Sequence, residues 1–121
     1  MEPLSLVIYH TDPGTAHALE VSLSQHFGPV KLVRKYDELR AVITRQHAEV
    51  LVIDLEASRS DAVQHLHHEF PSLCIVATHR LADDYVWTDA MTQGASDVCE
   101  PCKEQVVQSV MRERRHFAAA A

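Results

Sequence analysis

The sequence predicts an α/β fold, a five-stranded parallel sheet flanked by five helices. Three observations carry this reading. Val50-Leu51-Val52-Ile53-Asp54 is an unbroken apolar run, rich in β-branched residues, that ends in a carboxylate. Such a run suits a central strand covered on both faces. Leu4 to Tyr9 and Leu73 to Ala77 are two further runs of the same kind. Amphipathic segments joined by short loops separate the runs, and that alternation builds a parallel sheet through right-handed crossovers.

The elements follow in order. After the first strand, Asp12 and Pro13 give a helix start, as N-cap and first helical residue. Ala16, Leu19, Leu23 and Phe27 form the apolar face of that helix, which Gly28-Pro29 stops. Val30 to Arg34 alternates apolar and basic residues, as a half-exposed edge strand does. Asp37 is the expected cap of a second helix that buries Leu39, Val42 and Ile43. A third helix starts near Ser60 or Asp61 and ends before Pro71. Asp83 opens a fourth helix carrying Val86, Trp87, Ala90 and Met91 toward neighbouring residues, and Gly94 closes it. Ser96 to Cys99 is a short fifth strand. Pro101 begins a fifth helix with Val106, Val107, Val110 and Met111 facing inward.

Length and composition narrow the class. The 121 residues suffice for a single domain, 1–121, with one core. No apolar run is long enough to span a bilayer. The start of the chain shows neither a basic region nor a long apolar segment, so a cytoplasmic protein is expected. Three cysteines, an odd count, argue against a secreted disulfide framework. Eleven basic against seventeen acidic residues give a net charge of −6. That balance is a poor footprint for direct nucleic-acid binding, so DNA would be reached only through a separate output domain.

The chemistry centres on Asp54. In open α/β sheets the ligand crevice lies beyond the carboxyl ends of the strands, and an acid there is not core filling. The loop after the first strand, Asp54 and Thr78 should converge at that edge. With the stretches LVIYHTDPGTA, EVLVIDLEA, EFPSLCIVATHR and AMTQGASDVCEP in this order and spacing, the chain resembles the receiver domain of response regulators along essentially its whole length. The resemblance implies a CheY-like, flavodoxin-like sheet of order 2-1-3-4-5. It implies phosphoryl transfer from a histidine kinase or a small phosphodonor to Asp54, with Thr78 as the switch hydroxyl. It also implies Mg²⁺ held by carboxylates and phosphate oxygens, and a lysine before the proline that follows the fifth strand.

The sequence departs from that pattern. The acidic pair after the first strand falls on His10 and Thr11, and only Asp12, one place later, is acidic. The lysine position is Glu100. The aromatic position of the fifth strand falls near Asp97 or Val98. Mg²⁺ demands hard oxygen ligands, so the loss of two carboxylates weakens its site. A unit-charge pair about 4 Å apart at an effective dielectric of roughly 20 is worth about 4 kcal/mol before solvation, and replacing lysine by glutamate reverses its sign. The expectation is a degenerate receiver, a pseudo-receiver with no resident cofactor. It would form the N-terminal part of a longer transcriptional regulator, controlled by protein contacts or by dimerisation through the face of the fourth helix, fifth strand and fifth helix. It is not expected to be an enzyme. A Glu100–His10 ion pair across the old site is a further expectation.

Two alternatives stay open. In one, Asp54 still accepts a phosphoryl group, with a metal held by Asp12 and Asp54. In the other, Cys99-Glu100-Pro101-Cys102, a CxxC at a helix start, acts as a redox or metal sensor. His65 and His68 share a helix face, and a solvated face is the expected reading. Arg112, Arg114 and Arg115 suit a helix C-terminus.

Overall fold

A computed structural model describes residues 4–120, with side-chain surroundings through residue 113. The element order is β1 (Leu6–Tyr9), α1 (Pro13–Phe27), β2 (Val30–Val33), a 3₁₀ turn (Tyr36–Glu38), α2 (Leu39–Gln46), β3 (Val50–Asp54), a second 3₁₀ turn (Leu55–Ala57), α3 (Ala62–Glu69), β4 (Cys74–Thr78), α4 (Asp84–Gln93), β5 (Asp97–Cys99) and α5 (Lys103–Ala120). The strands form one parallel sheet of order β2-β1-β3-β4-β5.

Strand alternation sorts the core into two layers. Val7, Tyr9, Leu51, Ile53, Ile75 and Ala77 face α2, α3 and α4. Leu6, Ile8, Val50, Val52, Cys74 and Val76 face α1 and α5, where Leu19, Leu23, Val106 and Val110 meet them. All of β1, β3 and β4 is buried, while β2 is the half-exposed edge. This is why the three central runs are unbroken and the edge strand alternates.

Several boundaries and faces differ from the sequence reading. Asp37 does not cap α2. It lies in the Tyr36–Glu38 turn, and the residue before α2, Glu38, makes no side-chain cap bond. Pro101 and Cys102 precede α5, which starts at Lys103. Trp87 is 47% exposed and Met111 41% exposed. Both lie on the flank of their helices, where periodicity assigns a side but not a depth. Asp12 does cap α1, accepting the Thr15 N–H at 3.0 Å. Gly94 ends α4 at φ 118°, where a Cβ would stand 2.4 Å from the His67 ring, so both conformation and space demand glycine. Arg114, Arg115 and the first three residues lie outside the described side chains. Among the described residues, no helix is long and apolar enough to cross a membrane.

Candidate functional site

The register puts the expected residues in one row. Tyr9 pairs with Ile53, so His10 and Asp54 each follow a paired residue at the carboxyl edge. Asp54 stands across from Thr78, and Thr78 from Cys99. His10, Asp54 and Thr78 are all buried, a concentration of polar groups unlike the apolar rows behind it.

Asp54 is held by its own turn. Its Oδ1 accepts the Glu56 N–H at 3.0 Å, and its carbonyl accepts the Ser58 hydroxyl at 2.6 Å. Its other oxygen, Oδ2, lies 3.7 Å from His10 Nδ1. That separation is too long for a hydrogen bond. Nδ1 instead accepts the Asp12 N–H at 3.3 Å, which places the ring proton on Nε2. Nε2 is buried and has no hydrogen-bond partner among the described residues.

Thr78 Oγ1 is 3.5 Å from the Ile53 carbonyl, a long contact inside the sheet. Glu100 does not reach His10. Its side chain is exposed, its N–H goes to Gln105 Oε1 at 3.0 Å, and Cys99 rather than Glu100 stands opposite Thr78. The expected Glu100–His10 pair is therefore replaced by the approach of His10 to Asp54. Thr11, the other residue in the place of the acidic pair, is exposed.

The donor set does not fit Mg²⁺. The acidic pair is an imidazole and a hydroxyl, and Mg²⁺ takes carboxylate and water oxygens. Asp12, the acid in the loop after β1, commits Oδ2 to the Thr15 N–H and to the Thr15 hydroxyl at 2.6 Å. Those hydrogen bonds hold its carboxyl below the usual range. Among the described residues no group of three His, Cys, Asp or Glu side chains could hold a metal ion.

Residues not singled out in the sequence complete the site. Glu56 and Arg80 follow Asp54 and Thr78 by the same offset, and that shared offset on adjacent strands is the signal that could have found them. Glu56 accepts the Arg80 N–H at 2.8 Å and its Nε and Nη2 at 2.9 and 2.7 Å. These bonds hold the Glu56 carboxyl down at about 2. Tyr9 donates to the Ala57 carbonyl at 3.2 Å and meets Tyr36 edge to face. Burial, then the negative charge of Asp54, pushes its phenol up. On β5, Asp97 accepts Ser109 Oγ at 2.6 Å and Arg112 Nη2 at 2.5 Å, which ties the strand to α5.

The cysteines are unpaired. Burial pushes the Cys99 thiol up to about 12 and the Cys74 thiol to about 11, which opposes thiolate chemistry at Cys99. Cys102 is half-buried and lies ahead of α5.

Neither a protein-family model nor a curated protein sequence matches the chain. Solved structures do. The signal receiver domain of an HD domain-containing protein from Pseudomonas fluorescens Pf-5 superposes with a TM-score of 0.83 at 10% identity, covering 98% of this chain and 99% of that one. The chain has the response-regulator receiver fold. An atypical orphan response regulator, described as having a phosphorylation-independent regulatory mechanism, matches with a TM-score of 0.81 at 10% identity over 93% of this chain and 96% of that one. A CheY-like protein, tadZ, from Pseudomonas aeruginosa PAO1 matches at 25% identity with a TM-score of 0.73, covering 91% of each chain. At the carboxyl edge of this sheet stand Asp54, Thr78 and His10, with Thr11 in the loop after β1 and Glu100 just after β5.

Proposed function

We propose that this domain is a signalling module rather than an enzyme, a pseudo-receiver whose Asp54 does not undergo the usual Mg²⁺-dependent phosphorylation. The observation that carries the proposal is the burial of His10 beside Asp54, 3.7 Å from its carboxylate. An imidazole in that place supplies no carboxylate for Mg²⁺ and occupies the space beside the acceptor oxygen. Glu100, in the place where the resemblance implies a lysine, supplies no positive charge for a transferred phosphoryl group. The orphan response regulator with a phosphorylation-independent mechanism is a structural relative consistent with this reading.

In this proposal the domain is the N-terminal regulatory part of a cytoplasmic transcriptional regulator, and its partner is another protein or a second copy. The contact face is that of α4, β5 and α5, where Trp87 and Met111 are partly exposed beside Asp84, Asp89 and Arg112. DNA would be reached through a separate output domain. A histidine kinase would dock without productive transfer. Titration of the domain with Mg²⁺, followed by calorimetry and by Trp87 fluorescence, tests the reading. No saturable binding at millimolar Mg²⁺ is expected, whereas saturable binding that Asp54→Asn abolishes would overturn it.

A further inference from the structure

The turn after β3 and the loop after β4 are joined by a contact that the proposed function does not use. Glu56 takes three donors from one residue, the Arg80 backbone N–H and two guanidinium nitrogens. A plain surface ion pair leaves both backbones free to move. Here the backbone amide and the planar fork bind one carboxylate, so the path of the chain at residue 80 is fixed as well as the side chain. The Glu56 end is tied down in turn, because its N–H donates to Asp54 Oδ1 at 3.0 Å.

The Arg80 end continues into a loop ordered by its own hydrogen bonds. The Leu81 N–H donates to His79 Nδ1 at 2.9 Å, the Asp83 N–H to the Leu81 carbonyl at 2.8 Å, and the Val86 N–H to Asp83 Oδ1 at 2.9 Å. This loop and the first turn of α4 present the two most exposed large apolar side chains among the described residues, Leu81 at 65% and Tyr85 at 80%. Tyr85 and His79 also line a cavity of about 160 Å³ with Leu55, Val63 and Val86. A single chain of contacts thus runs from the buried carboxylate at the sheet edge to an exposed apolar surface, passing through Glu56 and Arg80.

We propose that the Glu56–Arg80 pair is a latch that couples the charge at Asp54 to the position of the 79–83 loop and the first turn of α4, and so to the presentation of Leu81 and Tyr85. The coupling runs through the Glu56 backbone amide and carboxylate and does not need the Thr78 hydroxyl, which is turned to the Ile53 carbonyl within the sheet. It also does not depend on whether Asp54 is ever phosphorylated, since any loss of charge there weakens the acceptor of the Glu56 amide. The exposure of Arg80, 82% at the side chain, suits a latch. A contact in solvent can open without unfolding the strands behind it.

Amide hydrogen exchange and NMR spectra of the domain test the proposal with Glu56→Ala, Arg80→Ala, Asp54→Asn and the Asp54→Asn/Glu56→Ala double variant. Glu56→Ala is expected to speed exchange at Arg80, Leu81 and Asp83 at least tenfold while β3 and β4 keep their protection. Arg80→Ala, which keeps the backbone bond, is expected to give a smaller increase. Asp54→Asn is expected to shift the resonances of Leu81 and Tyr85, and the shift should vanish in the Glu56→Ala background. Unchanged exchange in Glu56→Ala overturns the latch. So does a Leu81 response to Asp54→Asn that survives Glu56→Ala. Retained protection in the two strands separates either result from general unfolding, and none of these readouts involves phosphorylation.

Discussion

His10 Nδ1 lies 3.7 Å from Asp54 Oδ2, with the two side chains 7% and 8% exposed at the carboxyl edge of the sheet. The imidazole accepts the amide of Asp12 and leaves its second nitrogen buried without a hydrogen-bond partner among the described residues. A buried polar atom with no partner costs about 1–3 kcal/mol, so the imidazole is not there for stability alone.

A carboxylate at position 10 should behave differently. His10→Asp buries a second carboxylate beside Asp54 with no cation, and it is expected to destabilise the domain by about 3 kcal/mol in denaturant melts without metal. Mg²⁺ should recover part of the loss, because two acids at one mouth suit it. A His10→Asp variant as stable as the wild type, or indifferent to Mg²⁺, would contradict this account of the site.

Glu56 gives a pH signature. Its carboxyl is held at about 2 in the folded domain, below its ordinary 4.5, by the Arg80 bonds. The stabilisation is therefore complete above about pH 4.5 and is lost as pH falls toward 2. Acid titration followed by circular dichroism should show wild type losing more stability across that window than Glu56→Gln. Parallel curves for the two proteins would show that the pair contributes nothing.

Gly94 sets a steric test. Gly94→Ala must place a Cβ against His67 at φ 118°. The positive φ costs roughly 1–2 kcal/mol and the overlap about 1–3 kcal/mol, so a loss of about 2–5 kcal/mol is expected. His67→Ala in the same chain should return only the part of the packing cost that the ring causes, since the Cβ at 2.8 Å remains. Full recovery would place the whole cost in packing and none in the backbone.

Thiol labelling separates the redox reading from the rest. Cys102 should react with a thiol reagent in the native domain, while Cys99 and Cys74, buried and with raised thiol values, should react only on unfolding. Rapid native labelling of Cys99, or a Cys99–Cys102 disulfide formed by mild oxidant with a rise in stability, would revive the sensor reading.

Much of the fold was readable in the sequence because its strands announce themselves. β3 and β4 are covered on both faces, so their apolar runs are continuous, and Asp54 and Thr78 are conspicuous as the polar ends of those runs. The cap at Asp12 and the stop at Gly94 were readable for local reasons, a short acceptor side chain and a left-handed backbone. Depth on a helix flank was not readable, which is why Trp87 and Met111 proved partly exposed. The partner of His10 was not readable either. Choosing between Asp54 and Glu100 needs the register that puts Cys99, and not Glu100, opposite Thr78. Glu56 and Arg80 looked like ordinary loop charges until two strands lying side by side brought their equal offsets together.

The most direct test of the central claim is to incubate the purified domain with a small-molecule phosphodonor and Mg²⁺ and to weigh the intact protein by mass spectrometry. The account predicts no phosphoryl adduct on Asp54 under conditions that label a competent receiver to completion. Rapid stoichiometric addition that is lost in Asp54→Asn would contradict it.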